Sequence, residues 1–209
     1  MSNSSDPTTT TRAVPTGNDS RSLRAELVSL DEALYRAVAD TPTPKVDEPL
    51  RRLSNAANNS GLWLATAAGL AVLGGRAGRQ AALTGVSAIG VASAVTNLGV
   101  KRLYLRRRPD RQSASVKEAR QVKMPESTSF PSGHSASAFA FATAVTDRMP
   151  LVGVPLLGLA GTVAYSRVHT GVHYPGDVVV GSILGVSMGS LTARAVRLVE
   201  RRFRDPVTA

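Results

Sequence analysis

The chain contains no cysteine, only 4% aromatic residues, and 15 Asp and Glu against 25 Lys and Arg. Without cysteine there is no disulfide scaffold, no thiol nucleophile and no Cys-ligated zinc site. The shortage of acidic residues leaves a formal net charge of +10 and a pI near 11.0. Such a balance calls for an acidic partner: nucleic acid, anionic lipid or a phosphorylated substrate. Composition does not choose among these. A hydrophobic content of 43% over 209 residues is ordinary, so collagen-like repeats and wholesale disorder are both excluded. That length suits one domain with tails.

The mean hydropathy of −0.02 averages over unlike segments. Residues 1–27 are rich in Ser, Thr, Asn and Asp, with Pro7 and Pro15, and are expected to form a disordered polar tail. No apolar stretch follows Met1, so no secretory signal peptide is expected. Ser29 and Glu32 make a capping box ahead of Leu30, Leu34, Ala37 and Val38, which predicts an amphipathic helix ending near Thr41. After Pro42 and Pro44, the apolar positions Val46, Leu50 and Leu53 predict a second short helix with Arg51 and Arg52 on its polar side. These helices, within residues 28–58, fit either a membrane surface or the cap of a core.

Charge is then expelled from five blocks: Leu53–Gly75, Ala81–Val100, Ser127–Thr146, Met149–Ser166 and Val178–Ala193. About 20 apolar residues span a bilayer, so the pattern predicts an all-α integral membrane bundle of about five transmembrane helices over residues 59–197. The blocks are rich in Gly, Ala, Ser and Thr and include Asn97, which also suits a soluble helical bundle with a small-residue core. Small residues let membrane helices approach closely. Residues 198–209 read as a basic C-terminal tail.

With five spans, alternate connectors share a face. The long connector Lys101–Glu126, with nine Lys and Arg, and the short connector Arg167–Asp177 fall on the same side, together with every histidine. Lys101 and, seven residues on, Arg108 and Pro109 put two long cations where they can converge on one anion, with Arg able to bind phosphate oxygens bidentately. A juxtamembrane basic run attracting anionic lipid is the plainer reading of this element alone. Pro131, Ser132, Gly133 and His134 open the third block and offer free backbone N–H groups, a hydroxyl and an imidazole at a positive helix end. Ser166, Arg167, His173 and Asp177 add a cation and an imidazole beside a carboxylate. Such a carboxylate holds one ring N–H and directs the other nitrogen's lone pair outward.

Taken together, Lys101-x6-Arg108-Pro109, Pro131-Ser132-Gly133-His134 and Ser166-Arg167-x5-His173-x3-Asp177 resemble the three-part signature of the type 2 phosphatidic acid phosphatase (PAP2) superfamily, over roughly residues 50–197. That superfamily also includes prenyl-diphosphate phosphatases and vanadium haloperoxidases. The resemblance implies that His173 is the nucleophile forming a phosphohistidine and that Asp177 orients it. His134 would protonate the leaving oxygen and then activate water, while Lys101, Arg108, Arg167, Ser132 and the Gly133 amide hold the phosphoryl oxygens. It implies no cofactor and no metal, and the sequence shows no carboxylate cluster that would bind Mg²⁺. Phosphoryl transfer rests on positioning and on neutralising equatorial oxygens, which three cations can do. His169 occupies no signature position and reads as a supporting loop residue.

The implied partners are a lipid phosphate substrate and a bilayer with anionic lipids, and nucleic acid is set aside. Candidate substrates are phosphatidate, phosphatidylglycerol phosphate and prenyl mono- or diphosphates, including prenyl-linked sugar phosphates. A haloperoxidase-like enzyme and a non-catalytic basic membrane protein are the alternatives. The basic residues are shared almost evenly between the two faces. The long polar N-terminal region then favours a cytoplasm-facing site in a bacterial cell membrane.

Overall fold

The computed structural model describes residues 17–204, and every regular element within them is helical. Helices α1 (Gly17–Asp40) and α2 (Pro44–Ala56) precede α3 (Gly61–Leu73), α4 (Gly75–Ala94), α6 (Gly133–Arg148), α7 (Pro150–His169) and α8 (Pro175–Arg204). A wide π turn over Val95–Val100 carries α4 into α5, the short turn Lys101–Leu103. The predicted all-α bundle is the observed architecture, and each uncharged block contributes one helix to it.

Among the described residues, three helices are long and apolar enough to cross a membrane: Gly75–Leu103, Pro150–His169 and Pro175–Phe203. Helices α3 and α6, with 13 and 16 residues, reach only about 20 and 24 Å at 1.5 Å per residue, short of a hydrocarbon core of roughly 30 Å. Both differ from the expected spans for local reasons. The first block breaks at Asn58–Ser60, where Asn59 and Ser60 adopt left-handed φ values of 51° and 58°, and Leu53 is left in α2. The third block becomes helical only at Gly133, because Ser132 is extended and caps α6 by accepting from the Ser135 N–H.

The short helix α6 is the axis of the bundle. Its residues Ala136, Ala138, Ala140, Phe141, Ala142, Ala144 and Val145 have no solvent exposure, with α4, α7 and α8 packed around them. A Cβ on Gly181 or Gly185 of α8 would lie 2.5 Å from the Ser132 or Ala136 carbonyl oxygen, so only glycine lets the α8 backbone rest directly on α6. Trp63 of α3 meets Phe141 with ring centroids 5.6 Å apart and fills the opposite side. The outer surface is apolar: Leu83, Leu151 and Ile183 are 71%, 93% and 60% exposed. Apolar area on that scale is stable against lipid rather than water.

The N-terminal region differs from its sequence reading. Residues 17–27, expected in the polar tail, are helical from Gly17, while residues 1–16 and 205–209 lie outside the described residues. Ser29 is not a helix start: its hydroxyl donates to the Ala25 carbonyl within α1 at 3.0 Å, as serine can in a helix interior. Leu23, Arg24, Ala25 and Glu26 are good helix formers and carry α1 through the supposed boundary. α1 docks through Tyr35, buried and 5.5 Å from the Tyr174 ring in edge-on contact. α2 buries Asp47, Leu50 and Ser54 and docks against α7.

Arg120, from the long connector, locks the α1–α2 junction. It is fully buried and donates to the Val38, Ala39 and Thr41 carbonyls at 3.3, 3.1 and 2.7 Å. It thereby satisfies carbonyl groups that the end of α1 leaves without helical partners. Its Nε lies 2.9 Å from Asp47 Oδ1.

Candidate active site

The connector between α5 and α6 and the turn between α7 and α8 meet over the N-terminal ends of α6 and α8. The Ser132 N–H donates to the Asp177 carbonyl at 2.9 Å and joins the two helix starts. All eight residues predicted for the site converge on this end of the bundle.

His173 is buried in the turn before α8. Its Nδ1 lies 3.4 Å from Asp177 Oδ2, and its Nε2 lies 3.3 Å from Arg108 Nη1. A guanidinium can only donate, so Nε2 carries the lone pair and Nδ1 the proton. That is the tautomer an imidazole nucleophile needs. Burial lowers the His173 pKa from its ordinary 6.5 to about 4; the Asp177 carboxylate opposes the shift, and the charges of Arg108 and Arg167 add to it. Asp177 Oδ2 also accepts from the Tyr174 N–H at 3.0 Å and from the Ser129 hydroxyl.

The cations approach from separate elements. The π turn ending at Val100 precedes Lys101, whose Nζ donates to Ser127 Oγ at 3.1 Å. Arg108 Nη2 reaches the same Ser127 Oγ at 3.3 Å, while its Nε and Nη1 are held by the Ser127 and Val172 carbonyls at 2.9 and 2.7 Å. Arg167, 1% exposed at the end of α7, donates through Nη1 to Ser54 Oγ at 2.7 Å and to the Ser54 carbonyl at 3.2 Å. Its Nε is buried without a protein partner. Backbone carbonyls thus aim the guanidinium groups without cancelling their charge.

His134 stands in the first turn of α6 and donates from Nε2 to Asn58 Oδ1 at 3.0 Å, which leaves Nδ1 available. Ser132 is buried, and its Oγ accepts from Ser135 Oγ at 3.0 Å, so its own hydroxyl hydrogen is free to donate elsewhere. A Cβ on Gly133 would lie 3.9 Å from Lys101 Nζ. Lys101, Gly133 and His134 line a cavity of about 210 Å³ with Ser93 of α4, Asn97 of the π turn and Asn59 and Ser60 of the turn before α3.

Several members of this site carry no sequence signal. Ser127 and Ser129 lie in an irregular connector, Ser54 and Asn58 belong to the N-terminal region, and Arg106 pairs with Asp177 Oδ1 at 2.9 Å. No spacing rule links these positions to the motifs. His169 is buried at the end of α7 with Nε2 3.1 Å from Asp47 Oδ1 and 3.0 Å from Thr43 Oγ1, so it ties α7 to α2.

Residues 81–201 match the PAP2 superfamily, a stretch that contains every signature residue. The chain belongs to the PAP2 superfamily. This PAP2 phosphatase is 37% identical over 129 residues to the decaprenylphosphoryl-5-phosphoribose phosphatase of Mycobacterium tuberculosis, covering 62% of this chain and 68% of that one. Its fold is similar to the transmembrane PAP2 type phosphatidylglycerolphosphate phosphatase from Bacillus subtilis, with a TM-score of 0.65 at 23% identity over 83% of this chain and 88% of that one. It is likewise similar to Aquifex aeolicus LpxE, with a TM-score of 0.63 at 24% identity over 79% and 95% of the two chains. The PAP2 phosphatase is an integral membrane enzyme that hydrolyses phosphoric esters of lipids.

Proposed function

We propose that this enzyme hydrolyses the phosphate of a prenyl-linked sugar phosphate through a phosphohistidine on His173. The observation that carries the mechanism is the orientation of His173, neutral, with Nδ1 toward Asp177 and Nε2 toward Arg108. Nε2 attacks phosphorus and the P–O bond to the leaving group breaks. Lys101, Arg108, Arg167, Ser132 and the Gly133 amide neutralise the equatorial oxygens. His134, entering the cycle as the imidazolium that a bound phosphate dianion favours, gives its Nδ1 proton to the departing oxygen while Nε2–H stays on Asn58. It then takes a proton from the water that cleaves the P–N bond, which returns His173 to its neutral form and releases phosphate.

Two observations support the substrate class. The first is the similarity to a phosphatase named for a decaprenylphosphoryl ribose phosphate. The second is a groove of about 370 Å³ beside Arg108, lined by Arg106, Arg107, Ser127 and Thr128, which has room for a polar group next to the phosphate. The exposed cations of the same connector would meet anionic lipid heads. The active face is read as cytoplasmic. Because the 30-residue helix α8 has Asp177 in its first turn and runs away from the site, a C-terminal fusion reporter active outside the membrane supports that orientation, and one active inside reverses it.

The test is phosphate release by the full-length protein, with EDTA present, from a prenyl-phosphoryl ribose 5-phosphate, a prenyl diphosphate, phosphatidate and phosphatidylglycerol phosphate. The ribose 5-phosphate should be hydrolysed fastest, and a preference for either glycerolipid would overturn the substrate assignment. His173→Ala and His134→Ala should each reduce turnover by at least about a thousandfold. Activity near wild type in either variant removes that residue from the mechanism.

A further inference from the structure

Arg106 holds two carboxylates on one nitrogen. Its Nη1 lies 2.9 Å from Asp177 Oδ1 and 2.7 Å from Oδ2 of Asp31, a residue of α1. The Arg106 guanidinium is stacked 4.0 Å above the centre of the Tyr174 ring, so its plane is fixed. Asp31 is itself anchored: Oδ1 accepts the Gly176 N–H at 2.7 Å, and its side chain is 12% exposed. A Cβ at position 176 would stand 3.0 Å from Asp31 Oδ2, so the glycine makes room for this carboxylate. Asp31 therefore grips the start of α8 and the cation behind Asp177 at once.

The electrostatics give this arrangement a purpose. Positive charge develops on the His173 ring when Nε2 takes up the phosphoryl group, and Asp177 is the group placed to balance it. Arg106 alone would cancel Asp177 and weaken that balance. With Asp31 included, the three charges behind His173 sum to −1, and Asp177 keeps both its orientation and its effect.

We propose that Asp31 is a positioning residue of the phosphatase, holding Asp177 against His173 through Arg106 and keeping the three-residue relay net negative. The proposal rests on the phosphohistidine reading above. It makes α1, which lies outside the stretch matching the superfamily, part of the active centre.

A double-mutant cycle on the full-length protein in detergent, assayed with farnesyl phosphate and dioctanoyl phosphatidate, tests it. Asp31→Asn keeps an acceptor for the Gly176 N–H but removes the charge; kcat should fall about tenfold with KM within about twofold. Arg106→Gln leaves two carboxylates facing each other and should lower kcat by about a hundredfold. Adding Asp31→Asn to Arg106→Gln returns the sum to −1 and should raise kcat about tenfold above Arg106→Gln alone. Asp31→Glu, which keeps the charge, should recover most of the loss seen in Asp31→Asn. Melting temperatures, which need no substrate, should show the same reversal of sign.

A residue that merely tethers α1 would be harmful in both backgrounds. Additive losses, an unchanged kcat in Asp31→Asn, or a loss confined to KM would each overturn the proposal. His173→Ala is assayed alongside. Activity surviving there overturns the phosphohistidine reading, whereas an inactive His173→Ala beside an unperturbed Asp31→Asn overturns only the role of Asp31.

Discussion

Lys101, Arg108, His134, Arg167, His173 and Asp177 all lie within the stretch that matches the superfamily, residues 81–201. Asp31, Ser54 and Asn58, which lie before it, bond to Arg106, Arg167 and His134. The two regions contribute different kinds of group. The later one supplies full charges and titratable rings aimed at a single space. The earlier one supplies a carboxylate, a hydroxyl and an amide that are shorter, mostly neutral and directed at the later region's side chains. Positioning in phosphoryl transfer is as consequential as charge, so the N-terminal helices act as the frame of a site whose reactive groups lie elsewhere.

The strongest way to break this comparison is to undock the frame. Arg120 is a fully buried guanidinium between the two regions, and it satisfies three carbonyls of the α1–α2 junction as well as facing Asp47. Arg120→Met leaves those carbonyls without a partner and the Asp47 carboxylate without its guanidinium, with only Thr43 and His169 beside it, and should destabilise the junction by about 3 kcal/mol. Limited proteolysis between α1 and α2 should accelerate, and activity should fall in parallel although no signature residue has changed. Unchanged proteolysis with full activity would show that the core folds its own site and needs no frame.

The second test concerns how the core protects His173, the proposed nucleophile. His173 is held neutral because burial and the charges of Arg108 and Arg167 outweigh Asp177, placing its pKa at about 4 against an ordinary 6.5. After correction for the substrate's own ionisation, kcat/KM should stay level from pH 7 to about 5 and fall only near 4. An acid limb at 6.5 would mean that His173 is open to water. Stability follows the same sign. The unfolded chain takes up a proton that the folded one refuses, so the contribution is complete above 6.5 and is lost as pH falls toward 4, by up to about 1.4 kcal/mol per unit.

What was readable in the sequence follows the same division. The signature residues were legible because reaction chemistry demands particular side chains at fixed spacing on one turn or one helix start, as with His173 and Asp177. The uncharged blocks were legible because lipid tolerates no charge, although their helical limits were not. Asn59 and Ser60 break the first block through backbone conformation, and Ser132 delays the third by capping. The frame was invisible for a different reason. Asp31 meets Gly176 across a separation of 145 residues and Ser54 meets Arg167 across 113, distances at which no periodicity survives. In the sequence Arg106 is one more cation of the basic connector, because only the fold brings Asp31 to it.

The smallest expected effect is also the finest measure of the frame. Arg167 donates from Nη1 to both the Ser54 carbonyl and Ser54 Oγ. Ser54→Ala removes only the second bond, leaving the guanidinium in its pocket but less firmly aimed. Loss of one hydrogen bond to a charged group is worth about 1.5–3 kcal/mol when the partner is stranded, and less when a carbonyl remains. The expected outcome is therefore a roughly three- to tenfold loss in kcat/KM with an unchanged melting profile. Ser54→Thr keeps the hydroxyl and should retain activity if the buried site admits the extra methyl. A Ser54→Ala enzyme equal to wild type would mean that the backbone carbonyl alone orients Arg167, and the frame would then act through its fold rather than through its side chains.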